Sequence, residues 1–199
     1  MRLAPQLELD RCPHCQVDKP SLRQLWNYET KTHAGHNLRF WVIYGCSRCG
    51  GLILAASSSQ RGNVTELYPS GINIDEAIPT KARTYLSQAL QSLHAPAGAI
   101  MLCASSVDAM LKEKGYKNDS LYNRINKAAK DHLVTQEMAQ WAHEVRLDAN
   151  DQRHTDEETI LPDESDAKKC VDFVLALGQF LFVLPAQIQS GLMEAKKHS

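Results

Sequence analysis

Two short cysteine pairs constrain this chain more than anything else in it. Cys12-Pro-His-Cys15 and Cys46-Ser-Arg-Cys49 each place two thiols across a tight turn, with thirty residues between the turns. Four thiolates at this spacing are a complete tetrahedral ligand set for zinc. Pro13 stiffens the first turn, and Gly50 and Gly51 let the backbone fold back after the second. A site of four protein sulfurs leaves no position for water or substrate, so such an ion staples a fold and does not catalyse. The expected ligands are Cys12, Cys15, Cys46 and Cys49, and the expected cofactor is a structural Zn2+. His14, His33 and His36 are the local competitors; His14 is expected to face solvent and the other two to flank a loop at Gly35.

Between the pairs, Leu38 to Tyr44 is rich in strand formers, and Leu52-Ile53-Leu54 follows the second turn. Strand, turn, strand resembles a zinc ribbon. Residues 1–62 carry a net charge of +4 and residues 63–199 a net charge of −5. A basic ribbon bearing Trp26, Tyr28, Arg39, Trp41 and Arg48 could stack on or grip nucleic acid, although aromatics in so small a module more often form its core. The whole chain, at −1, is no polycation.

Turn signals at Ser57-Ser58-Ser59, Gly62-Asn63 and Tyr68-Pro69-Ser70-Gly71 mark a boundary. The reading is a zinc-ribbon domain over 1–62, a linker over 63–78 in which Val64 to Leu67 can add a last short strand, and a helical domain over 79–199. Helices are expected over Pro79–Leu93, Pro96–Lys114 with Gly115 as its stop, Leu121–His132 and Met138–His154. A last long helix, capped by Ser165 or Asp163, carries Cys170, Val171, Val174, Leu175, Leu177, Phe180, Leu181 and Leu184, with a separate short helix after Pro185. Cys103 lies on an apolar stripe and reads as a packed thiol. The most apolar run, Val171 to Leu184, is shorter than the roughly 20 residues that span a bilayer. With no signal-peptide pattern at the start, the expectation is a cytoplasmic protein without membrane contact.

On the Met138–His154 segment, Arg146, Asn150 and His154 recur every four residues and share one helical column. This column, with Ala149 before the Asn and Asp108 on an earlier helix, follows the Tyr-Pro turn and the helix pair. In that order of features the chain resembles the bacterial family catalogued as domain of unknown function 4145, which is grouped with the HEPN superfamily. The resemblance, over roughly residues 66–185, implies a mainly α fold: a HEPN-like bundle of four to five helices preceded by a small β zinc ribbon. It implies homodimerisation through the C-terminal helices, and association with prokaryotic defence, including phage defence, or with mobile elements. It allows two functions: a non-catalytic interaction or regulatory module with a protein partner, or a metal-independent endoribonuclease or toxin.

In the ribonuclease reading His154 moves the proton, Arg146 holds the phosphate, Asn150 orients one of them, and Asp108 fixes Arg146 or His154. Against it, seven residues separate Arg146 and His154, more than HEPN ribonucleases usually place there, and Ala104-Ser105 stand where arginine often precedes the acid. The surrounding Glu144, Asp148, Asp151, Asp156, Glu157 and Glu158 also repel phosphate. A third reading is a zinc-ribbon DNA-binding regulator. The expectation is therefore a binding or regulatory module, with RNA or DNA among its partners.

Overall fold

The computed structural model describes residues 1–145 and 161–197. The chain forms two compact units, Met1–Asn73 and Ile74–Ser199. In the first, β1 (Leu22–Thr30), β2 (Arg39–Cys46), β3 (Leu52–Ser57) and β4 (Val64–Tyr68) make an antiparallel meander in sequence order. β4 thus falls where a linker with an optional strand was expected. The Tyr68–Pro69 peptide that follows it is cis.

Pairing fixes the two faces of this sheet. Leu22 opposes Cys46, Val42 opposes Ala55 and Tyr44 opposes Ile53. All six are buried, so they define the inner face. Leu3 and Leu7 of the N-terminal segment close over that face. The segment is tied down by Leu7 N–H to Leu22 O at 3.2 Å, Gln24 N–H to Pro5 O at 3.0 Å and the Tyr44 hydroxyl donating to Ala4 O at 2.8 Å. Nothing comparable covers the other face among the described residues of this unit.

The second unit is helical: α1 (Thr80–Gln91), α2 (Pro96–Glu113), α3 (Leu121–Lys130), α4 (Gln136–Glu144), α5 (Glu164–Gly178) and α6 (Leu184–Lys197). Apolar positions of α1 and α2 recur at helical spacing and are buried. Ala82, Leu86, Ala89 and Leu90 of α1 meet Ala99, Ile100, Cys103, Val107, Met110 and Leu111 of α2 in one core with α5. The buried Ser106 hydroxyl donates to Ala82 O at 2.8 Å, which pins α1 to α2 without an unsatisfied polar group. Gly115 ends α2 at φ +97, where glycine avoids the cost of the left-handed region. Asp163, one of the two expected caps, caps α5 in a reciprocal pair with Asp166.

α4 covers Gln136–Glu144 with Val145 as its C-cap; the remainder of the expected Met138–His154 helix, with Arg146, Asn150 and His154, lies outside the described residues. One helix boundary differs from expectation: Pro185 does not separate two helices. α5 runs into a π-helical turn over Gln179–Val183, then directly into α6, with Pro185 in the first turn of α6. A proline ring clashes with the carbonyl four residues back and offers it no N–H. The wider turn, in which Leu184 N–H bonds to Gln179 O, opens the backbone just there, so the helix passes the proline.

By length and composition, Glu164–Lys196 is sufficient to cross a membrane. Yet Ala167, Cys170, Val171, Phe173, Val174, Leu177, Leu181 and Val183 are buried in the bundle. Trp141 of α4 meets Phe173 edge to face at 5.2 Å. That packing is compatible with the core helix of a soluble protein.

Candidate metal centre and ion-paired cleft

The two cysteine turns adopt one geometry. Gln16 N–H bonds to Cys12 O at 2.9 Å and Gly50 N–H to Cys46 O at 2.8 Å, so each turn closes on its first cysteine. The closing residue has positive φ in both, +56 at Gln16 and +72 at Gly50. Glycine meets this demand at the second turn, and Gln16 meets it at the first despite its side chain.

The turns bring the ligand atoms of Cys12, Cys15, Cys46 and Cys49 within 4.8 Å of one another. The Cys12 and Cys49 sulfurs are 3.9 Å apart, close to the ~3.8 Å edge of a tetrahedron with metal–sulfur bonds of about 2.3 Å. None of the four is in a disulfide. The cluster could hold a metal ion, and every position of a four-coordinate site would be a protein sulfur. His14, His33 and His36 are outside the group. His14 is exposed, as expected, but it also has a structural task. Its Nε2 lies 2.8 Å from Leu52 O, and its ring covers Gly51 so closely that a Cβ there would stand 2.4 Å from Cδ2. It thereby straps the first turn to the strand after the second.

The metal-free thiols are not equivalent. Burial raises Cys12, and raises Cys15 to about 12, where the Cys49 and Cys12 sulfurs also oppose ionisation. Burial opposes ionisation of Cys46 too, but backbone N–H groups of Cys49 and Arg48 and the neighbouring thiols donate to its sulfur, and the balance lowers it to about 7. Cys103 and Cys170 have the opposite setting. Both are buried among α2 and α5, burial pushes both upward, and Cys170 donates to Val145 O at 2.9 Å. Cys103 is the packed thiol its stripe implied.

In the helical unit Asp108 is paired with residues that the expected site did not include. Its carboxylate pairs with Arg124 of α3 and, at 2.7 Å, with Lys112 one turn along α2. Arg124 is only 7% exposed and also donates from Nε to Ser120 O. The expected link from Asp108 to Arg146 or His154 involves residues outside the described set. Asp108 and Lys112 line a cleft of ≈ 510 Å³ with Lys81, Tyr85, Ser105 and Lys117. An i, i+4 acid–base pair made Lys112 findable; Arg124 reaches Asp108 only through the packing of α3, which no local signal announces.

Comparison with known families matches residues 87–195, from within α1 to within α6, to the family described as "Domain of unknown function (DUF4145)". The chain belongs to the DUF4145 family. No curated protein and no solved structure matched. The DUF4145 region contains Asp108, Lys112 and Arg124, as well as the π-helical turn. The four-cysteine unit precedes it.

Proposed function

We propose that this DUF4145 protein is a zinc-stapled, non-catalytic binding or regulatory module with a HEPN-like bundle, working as a homodimer in prokaryotic defence or on mobile elements. The observation that carries the non-catalytic part is the state of Asp108. The carboxylate that the ribonuclease reading assigns to fixing Arg146 or His154 is already engaged by a buried arginine of α3 and by a lysine of its own helix. Zinc suits the all-sulfur donor set, and a closed tetrahedral site gives the metal a structural part.

Support for pairing comes from α6. It exposes Leu184, Ile188, Leu192 and Met193, spaced so that the first three form one stripe. A two-fold axis near Ile188 would set Leu184 of one copy against Leu192 of the other, a self-complementary arrangement.

The test is RNA cleavage by the purified, metal-loaded protein and its His154→Ala and Asp108→Asn variants, with metal content measured in parallel. The expected result is one zinc per chain and no cleavage by any of the three. Cleavage by the wild type that disappears in His154→Ala would overturn the proposal and establish the ribonuclease reading.

A further inference from the structure

The uncovered face of the four-stranded sheet carries the chain's most exposed aromatic surface. Strand register places its residues in rows. Tyr28, Trp41, Ala56 and Glu66 oppose one another across β1 to β4; so do Trp26, Ile43, Leu54 and Tyr68, about 7 Å further along the strands. Trp26, Tyr28 and Tyr68 are 52%, 58% and 53% exposed. Rings left this open across a whole sheet face present a contact surface.

From this arrangement we infer that the sheet face binds single-stranded nucleic acid by stacking its bases, an inference that rests on the binding-module reading above. Trp26 and Tyr28 already form a near-parallel stack, with centroids 5.3 Å apart and planes 10° from parallel. A nucleobase extends such a stack as a further ring, whereas an aliphatic side chain does not. Trp41 is held in place by its Nε1–H donating to Thr30 Oγ1 at 2.8 Å, and the Arg39 guanidinium lies 5.9 Å from its ring centroid. A planar cation beside a fixed indole offers one contact for a phosphate and one for a base.

The charge pattern fits a polyanion. Register puts Arg23 and Arg39 on this face, and Lys31 follows the end of β1. Among the sheet positions of the face Glu66 is the single acid, and it is occupied by Arg39 at 3.2 Å and by the Tyr68 hydroxyl. A duplex keeps its bases stacked on one another and offers grooves to a helix or ribbon. A broad flat sheet with open rings suits unstacked bases, the mode by which other four-stranded sheets read single strands.

The experiment measures binding of the full-length, zinc-loaded chain to fluorescent oligouridine and oligothymidine of about fifteen nucleotides. An abasic strand of equal length and a duplex are compared in the same buffer. The base-bearing strands are expected to bind at least about tenfold more tightly than the abasic strand, with affinity falling as salt rises. Preference between the two base-bearing strands separates RNA from DNA as the source of the ligand. Trp26→Ala with Tyr28→Ala should weaken binding about 5- to 100-fold, as loss of one base stack does, while Trp26→Phe stays within a few-fold. Both positions are exposed; unchanged circular dichroism and metal content confirm the fold. Equal binding of the abasic strand, tighter binding of the duplex, or indifference to the double substitution would overturn the inference. Absence of binding without cleavage would also overturn it and leave the module reading standing. Cleavage of the RNA would overturn the module reading instead, and binding of the DNA strand would then decide the platform.

Discussion

Removing Asp108 should harm the helical unit more than removing the arginine it neutralises. Asp108→Ala leaves Arg124, a residue only 7% exposed, without its counter-charge and with the Ser120 carbonyl at 3.4 Å from Nε. Breaking a fully buried pair in this way costs about 3–5 kcal/mol. The Asp108 side chain is 26% exposed, which screens the interaction and lowers the figure to about 2–3 kcal/mol. Arg124→Met removes the buried charge, keeps most of the side-chain volume, and leaves Asp108 to Lys112 and water; about 1 kcal/mol is expected. Thermal unfolding of the full chain followed at the helical circular-dichroism band reads the difference. At about 3–5 °C per kcal/mol for a domain of this size, Asp108→Ala should lose about 6–15 °C and Arg124→Met less than half of that. The double variant should resemble Arg124→Met, because the unpaired charge is gone. If Arg124→Met is as damaging as Asp108→Ala, the arginine acts through packing and the electrostatic account is wrong.

Chelating the metal should open the four thiols of the N-terminal unit to reaction, Cys46 fastest, while Cys103 and Cys170 react with a thiol reagent only on unfolding; reaction of all six in the folded chain would contradict the packing described. Metal affinity should fall as pH drops through the neutral range, since Cys12 and Cys15 must give up protons to bind, and more steeply below about 7, where protons also reclaim Cys46; a competition titration with a chromophoric chelator shows this directly. Asp163→Ala removes the α5 cap and should cost about 1 kcal/mol in urea unfolding, with no change beyond error counting against the capping pair. Ile188→Asp should convert a dimer to a monomer in sedimentation without lowering thermal stability of the bundle, and a wild-type monomer would remove α6 as an interface.

The cysteine turns were legible because their chemistry is local: four ligands, a proline and two glycines within short windows dictate the fold-back. α1 and α2 were legible for a related reason, since their apolar periodicity alone selects Ala82, Leu86, Ile100 and Val107 as core. The direction of the sheet was not. Leu38 to Tyr44 is apolar on both parities, so the strand pattern cannot say whether Trp41 or Val42 faces inward. That choice is made by Leu3 and Leu7, more than thirty residues away, which cover only one side and leave Trp26, Tyr28 and Trp41 outside the core. Asp108 shows the same limit. It pairs with Arg124, a choice set by how α3 packs and not by any spacing within α2, while Arg146 of the expected column lies outside the described residues.

The π-helical turn also has an evolutionary consequence. One additional residue in a helical turn rotates everything downstream by about 100°. The apolar rhythm of α5 continues at Leu184, Ile188 and Leu192, so the phase set between Gln179 and Val183 decides which way that ridge points. Loss or gain of one codon in this stretch would re-aim the whole ridge while leaving every residue of α6 unchanged. Lineages could therefore rewire what the terminal helix meets by single insertions and deletions, faster than by substituting the ridge residue by residue.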